Sequence, residues 1–124
     1  DATWSVDSEE NKQVKGFCGI NVAPIDLVRF GSIYLHDGFY NGTQIVPKEW
    51  VNESFTKYNK PKDENGHYYS YSWRITDKNA YVAVGLMGQY VYIEPDKNIV
   101  VVRTGESYDT FDWIEFIGEI TSYL

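Results

Sequence analysis

The chain lacks several features that would narrow its function directly. It has one cysteine, Cys18, in 124 residues and therefore cannot form an internal disulfide. No apolar run approaches the ~20 residues that span a bilayer, so we expect no membrane-spanning segment. Basic residues number 11 against 18 acidic ones, for a formal net charge of -7, and they are not clustered. Because phosphate backbones are bound by clustered cations, we expect no nucleic-acid partner.

Several catalytic and metal-binding signatures are also missing. The sequence contains no G-x-S-x-G elbow, no H-E-x-x-H helix, no phosphate-binding glycine loop and no C-x-x-C pair. His36 and His67 each lack a second His or Cys at ligand spacing, so we expect no metal site, and nothing in the sequence indicates a cofactor. The adjacent acids Asp63 and Glu64 lie in a predicted loop, where solvated charge is more common than a glycosidase pair.

What the chain does have is apolar and aromatic character, at 43% and 17% of its residues, which is typical of a folded domain and not of a disordered one. The most informative stretch is residues 81–105, YVAVGLMGQYVYIEPDKNIVVVRTG. Two β-branched and aromatic runs, 90–93 and 99–102, flank turn residues at 94–98, which predicts a hairpin. Gly85 and Gly88 flank Leu86 and Met87 where a strand begins, so a positive φ, a bulge or the close approach of another backbone or a substrate are all open there.

Three helices are predicted from apolar spacing and end signals. Residues 24–37 carry apolar side chains at helical spacing, with Pro24 suited to the first helical position. Residues 47–55 predict a short second helix. The last helix runs to Leu124, with Asp109 or Thr110 as its N-cap.

Two further strand signals lie between these helices. Asn41-Gly42 between short apolar runs predicts a two-residue hairpin turn. Residues 69–75 alternate aromatic or apolar with polar side chains and predict one strand with a buried face. The expected fold is α+β, with an antiparallel sheet of about three to four strands and the C-terminal helix packed on it. Residues 68–124 would form this sheet and helix, and residues 1–67 a separate helical and loop portion.

The order of these segments resembles the C-terminal part of the serine β-lactamase-like hydrolases, in the branch of 6-aminohexanoate-dimer hydrolases and related esterases. The likeness spans nearly the whole chain in the right order. Its segments are WSVD (4–7), FCGIN (17–21), DLVRFG (26–31), DGFYNG (37–42), IVP (45–47), WV (50–51), GLMGQY (85–90), IEP (93–95) and VVVRT (100–104).

This resemblance implies an acyl-enzyme hydrolase whose catalytic Ser and Lys (S-x-x-K) and Tyr (Y-x-N) lie outside this chain, upstream of Asp1. The chain would supply the family's third motif, a strand beside the nucleophile, here Gly85 to Gln89. The backbone N–H of Leu86 or Met87, one of the two, would be an oxyanion donor, and Gly85, Gly88 and Gln89 would contribute to substrate binding. Gln89 would orient the strand edge, and Tyr90 and Arg103 would be structural.

The chain departs from the β-lactamase pattern because its third motif has no Lys or His to pair with a carboxylate. A small amide or ester is therefore favoured as substrate, with no cofactor. The resemblance implies a bacterial protein and leaves the compartment, cytoplasmic or periplasmic, open. Its partners would be the N-terminal part of the same enzyme or, through an open sheet edge, a second copy of the chain.

One alternative function remains open from the residues alone. Tyr69, Tyr71 and Trp73 could form an exposed aromatic strip on a non-catalytic module that binds carbohydrate or protein. Exposure of these rings distinguishes the two hypotheses.

Overall fold

The computed structural model describes residues 2–57, 61–107 and 110–124. Its main element is an antiparallel sheet of five strands in the order β5-β6-β7-β8-β9, which leaves β5 and β9 as edge strands. The strands are β5 Tyr68–Ser70, β6 Trp73–Ile75, β7 Tyr81–Gly85, β8 Gln89–Glu94 and β9 Ile99–Arg103. The three helices are α1 Pro24–Leu35, α2 Lys48–Ser54 and α3 Trp113–Thr121. The predicted α+β class with a C-terminal helix is confirmed.

Two short ribbons complete the described part of the chain. One pairs β1 Thr3–Trp4 with β2 Ile20–Asn21, and the other pairs β3 Phe39–Tyr40 with β4 Thr43–Gln44. The second ribbon turns at Asn41 and Gly42, whose φ angles are 46° and 81°, as the Asn-Gly signal predicts. No helix in the described ranges is long and apolar enough to cross a membrane.

The sheet has one strand more than expected because residues 69–75 do not form a single strand. The chain reverses at Tyr71 and Ser72, whose φ angles are 43° and 72°, and pairs Ser70 with Trp73. Period-two alternation cannot distinguish one strand from two strands joined by a two-residue turn when the turn lacks Gly or Asn. The prediction of one strand is therefore wrong, and a hairpin takes its place.

Each face of the sheet is covered by a different helix. Alternate residues such as Val82 and Tyr92 pack against Ile117 of α3, whereas Val91 and Ile93 belong to the opposite cluster, with side chains of α1. The expectation that the 24–37 helix lies in a portion separate from the sheet is wrong. Its apolar stripe is buried against β8 and β9, where it completes a helix–sheet–helix arrangement.

The helix ends differ from the predicted ones by a few residues. Helix α1 ends at Leu35, and α2 begins after Pro47, which is its N-cap. Asp112 caps α3 by accepting a hydrogen bond from the N–H of Glu115 at 2.9 Å. Of the two predicted caps, Asp109 lies outside the described residues, and Thr110 precedes the observed cap.

The last turn of α3 is joined to the sheet by a buried polar cluster. The hydroxyl of Thr121 donates to Oε2 of Glu94 at 2.7 Å, and the hydroxyl of Tyr92 donates to the same oxygen at 3.3 Å. Lys97 lies 3.6 Å from the other oxygen of this carboxylate and donates to the Thr121 carbonyl. Because Thr121 and Tyr92 are almost fully buried, these bonds replace lost hydration and fix the end of the helix.

Candidate active-site loop

Residues 86–88, here called the 86–88 loop, connect β7 to β8 at one end of the sheet. The last pair of the ladder is Gly85 with Gln89, so three residues make the turn. Met87 and Gly88 have φ angles of 61° and 83°. Glycine adopts this conformation freely, whereas for Met87 it costs about 1 kcal/mol. Such a residue is held in place by the contacts of its neighbours.

Gly85 and Gly88 exclude a side chain for different structural reasons. A Cβ at Gly85 would lie 2.9 Å from Cβ of Gln89, so the cross-strand pair leaves no room for a side chain. Gly88 has a positive φ, and a Cβ there would lie 2.0 Å from Nη1 of Arg103. Of the alternatives that the sequence left open, a positive φ is found at Gly88, and the group that lies close to it is the Arg103 side chain.

Two side chains hold the 86–88 loop to the end of β9. Arg103 donates from Nη1 to the carbonyl of Gly88 at 2.5 Å. Gln89 donates from Nε2 to the carbonyl of Gly105 at 2.5 Å and accepts from the N–H of Gly105 at 3.3 Å. Arg103 thus makes a specific contact, as expected of a structural residue, and Gln89 on β8 binds the segment that follows the neighbouring strand β9.

The outer part of the loop faces solvent. Leu86 is 70% exposed and Met87 41% exposed. Outside the strand ladders, no backbone hydrogen bond among the described residues is donated by the N–H of Leu86 or Met87. Both N–H groups are therefore compatible with the donor role that the resemblance implies, and which of the two would act stays a prediction.

A pair of aromatic rings lies at the same end of the sheet as the 86–88 loop. Trp73 pairs with Ala83, so the preceding turn at Tyr71 falls opposite Gly85. The ring of Tyr71 lies 4.9 Å from that of Trp50 on α2, and each residue is about half exposed. Sequence reasoning missed this neighbourhood because it depends on the unrecognised turn at Tyr71 and Ser72.

The aromatic strip of the alternative hypothesis does not form. Trp73 is 4% exposed and packs among the rings of α1 and α2 residues, with centroids 5.0 Å from Tyr34 and 5.4 Å from Phe55. Tyr69 is 54% exposed but pairs with Arg74, on the other face of the sheet from Trp73. The binding-module hypothesis therefore loses its supporting feature.

One S-x-x-K tetrapeptide does occur in the chain, at residues 54–57, contrary to the expectation that this motif lies outside it. Ser54 stands at the end of α2, is 1% exposed and donates to the Trp50 carbonyl at 2.7 Å. Lys57 donates to Oδ1 of Asn79 at 2.8 Å. The hydroxyl and the amine are thus engaged in separate structural contacts, and the pair is not arranged as nucleophile and base.

A cleft of about 380 Å³ lies away from the 86–88 loop. It is bounded by residues 65–67, residues 76–78, which precede β7, and the start of α3, and none of residues 85–89 lines it. Two of the three acids that line it have structural partners, since Asp77 pairs with Lys62 at 2.6 Å and Asp112 caps α3. These contacts hold the pKa of Asp77 below its ordinary value, chiefly through the hydrogen bond from Lys62. The 86–88 loop is therefore the better candidate site.

Comparison with known proteins gives a structural match. No protein-family model and no curated protein matches the chain. A similar solved structure bears the name "Putative 6-aminohexanoate-dimer hydrolase from Bacillus anthracis", with a TM-score of 0.74 and 25% sequence identity. The match covers 98% of this chain and 32% of that protein, so the chain spans about a third of its neighbour's length. The fold is thus that of part of a larger protein with a hydrolase name.

Proposed function

We propose that this chain is part of a serine hydrolase of the β-lactamase-like superfamily that cleaves a small amide or ester through an acyl-enzyme. The observation that carries the proposal is the structural match over 98% of the chain to a protein named as a 6-aminohexanoate-dimer hydrolase. The resemblance of the GLMGQY segment to the third motif of that superfamily supports it independently. The N-terminal part of the same enzyme would supply the Ser, Lys and Tyr.

In this proposal the 86–88 loop forms the oxyanion wall of the site. Attack on a carbonyl places negative charge on its oxygen, and a backbone N–H held in advance stabilises that charge without reorganising. Leu86 or Met87 would donate one such N–H, and the residue bearing the nucleophile would donate the other. Gly85 and Gly88 would allow the substrate to approach the backbone closely.

The proposed role of Gly85 is tested by Gly85→Val in the complete enzyme, in which this chain follows the segment with the nucleophile. A side chain at position 85 presses on Gln89 and displaces the adjacent donor, so we expect kcat to fall on the order of 100-fold. Gly16→Val is the matched control, because a Cβ at Gly16 meets no atom within 4 Å. Hydrolysis of p-nitrophenyl esters and of the 6-aminohexanoate dimer is measured, and an unchanged kcat would make Gly85 a purely structural residue.

The chain alone should not hydrolyse these substrates. Ser54 is buried and bonded to a carbonyl, and Cys18 is exposed without an activating partner in the described contacts. Turnover that survives purification and the Ser54→Ala and Cys18→Ala substitutions would show that another group in this chain is the nucleophile, and the proposed division of the active site would be wrong.

A further inference from the structure

We infer that Arg103 is a positioning residue for the 86–88 loop and that Trp113 couples this position to helix α3. The inference rests on the proposed function, since it concerns the loop assigned there to the oxyanion. It starts from one side chain with two well-defined contacts. Nη1 of Arg103 reaches the Gly88 carbonyl at 2.5 Å, and the guanidinium carbon lies 3.7 Å from the ring centroid of Trp113.

The guanidinium fills a slot that two glycines leave open. An added Cβ would lie 2.0 Å from Nη1 at Gly88 and 2.4 Å from it at Gly105. These two residues come from different connections of the sheet, so the slot exists only when β8 and the end of β9 are in register. Arg103 can therefore bind the loop only in the arrangement seen here.

The contacts also set which way the loop's peptide groups point. A Cβ on Gly105 would lie 2.5 Å from the Met87 carbonyl oxygen and 3.1 Å from that of Gly88. Both oxygens thus face the β9 side, where the cation binds one of them. In a trans peptide the N–H of the following residue points the opposite way, and here these are the N–H groups of Gly88 and Gln89. The guanidinium therefore fixes the two peptide groups that follow Met87, and through them the conformation of the loop residues proposed to donate to the oxyanion.

Helix α3 also contacts the guanidinium, through the ring of Trp113. Trp113 is the first residue of α3 and contacts the rings of Phe111 at 4.7 Å and Phe116 at 5.7 Å. The far end of the helix is fixed by Thr121 on Glu94. A planar guanidinium can stack on an indole while donating in its own plane, which a lysine ammonium cannot do. The position of α3 therefore determines where Arg103 presents its donor.

The test compares Arg103→Gln, Arg103→Lys and Trp113→Leu with Arg74→Gln as control. Arg74 also lies on a strand of this sheet and pairs with Asp63 at 3.4 Å, on β6 and not at the loop. In the 124-residue chain, amide NMR shifts of residues 86–89 are measured. In the complete enzyme, kcat and KM are measured.

We expect Arg103→Gln to move the amide shifts of the 86–88 loop and to lower kcat at least ~10-fold, with KM changed by less than about 2-fold. Arg103→Lys should recover part of kcat, Trp113→Leu should move the same amides less, and Arg74→Gln should move none of them. Unmoved loop amides in Arg103→Gln, or moved amides with an unchanged kcat, would overturn the inference. If the wild-type complete enzyme hydrolyses nothing, the proposed function fails, while the amide shifts still decide whether Arg103 positions the 86–88 loop.

Discussion

Gly31 provides a sharp test of how α1 packs on the sheet. It is the buried residue in the middle of α1, and Gly→Ala in a helix interior is ordinarily stabilising by about 0.5–1 kcal/mol. Here a Cβ would lie 2.6 Å from Cγ1 of Val100 on β9 and 3.2 Å from Cγ1 of Val91 on β8. Helix propensity therefore predicts that Gly31→Ala raises the free energy of unfolding, whereas packing predicts that it lowers it.

The magnitudes favour packing. Carbon atoms in contact sit about 3.5–4.0 Å apart, so the helix and the strand must separate by roughly 1 Å to admit the methyl group. Overpacking of this kind costs about 1–3 kcal/mol. Because Val100 lies on a strand and cannot move without its neighbours, we take the upper part of that range. After subtraction of the propensity gain, Gly31→Ala should lower the free energy of unfolding by about 1–2 kcal/mol.

The assay is urea unfolding followed by tryptophan fluorescence and circular dichroism. A double-mutant cycle with Val100→Ala isolates the clash, because removing Cγ1 opens the space that the new methyl group needs. We expect the double variant to be more stable than the sum of the single changes by at least about 1 kcal/mol. A Gly31→Ala chain that is more stable than wild type, or a cycle that is additive, would refute the packing of α1 against β9.

Three further predictions concern the other face and the edge of the sheet. Thr121→Val should lower the free energy of unfolding by about 1.5–3 kcal/mol in urea, because it removes a hydrogen bond to the buried Glu94 carboxylate, whereas exposed Thr43→Val should change it by less than about 0.5 kcal/mol. Burial raises the pKa of Tyr92 to about 12, so the stability that depends on its neutral form is complete below the unfolded pKa of ~10 and is lost between pH 10 and 12. Tyr92→Phe should remove that part of the alkaline loss, up to about 2 kcal/mol, in unfolding measured across this range. The open edge of β9 should make the isolated chain self-associate at micromolar concentration in analytical ultracentrifugation.

Each of these has an outcome that contradicts it. Equal effects of the two threonine substitutions would mean that the bond to Glu94 adds nothing to stability. An alkaline loss that is the same with Phe at position 92 would assign it to other groups. A monomer of 14.4 kDa at every concentration would show that the edge of β9 is not an association site.

Local chemistry made two hairpins, at residues 41–42 and 94–98, and the helix positions predictable from the sequence. The Asn41-Gly42 turn is found at its predicted place because Asn and Gly adopt the positive φ of such a turn at the lowest cost. The turn at residues 94–98 is a 3-10 turn over Pro95–Lys97 followed by Asn98 with a φ of 57°, again as composition predicts. Such signals lie within a few residues, and tertiary contacts are not needed to interpret them.

The errors have a common physical origin. Tyr71 and Ser72 adopt positive φ without being Gly or Asn, because the buried Trp73 and its partner strands fix the reversal. The placement of α1 on the sheet depends on Gly31. From the sequence a glycine inside a helix is only unfavourable for helix formation, whereas in the fold its lack of a side chain makes room for β9. In both cases long-range packing overrides a local preference, which one sequence does not display.

The candidate site shows the same division. Gly85 and Gly88 indicate from the sequence alone that the backbone is closely packed there, because glycine is required where backbone and side chains come close. The partners that give these positions their meaning, Arg103 and Gly105, lie about fifteen residues later, and their contact could not be inferred from spacing. A glycine in the sequence therefore indicates where the backbone is closely packed. Which residues pack against it is known only from the fold.

The position of Arg103 links the open edge of the sheet to the candidate site. Arg103 is the last residue of β9, and among the described residues β9 has a partner strand on one side only. A strand that paired with the free side would fix the register of β9 and, with it, the slot between Gly88 and Gly105 that the guanidinium fills. In the proposed enzyme, the N-terminal part would therefore both supply the nucleophile and restrain the strand that carries Arg103. It follows that adding this part in trans should slow amide hydrogen exchange along β9 and in the 86–88 loop together. Protection of β9 without the loop, or of the loop without β9, would show that pairing at the edge of β9 does not restrain the candidate site.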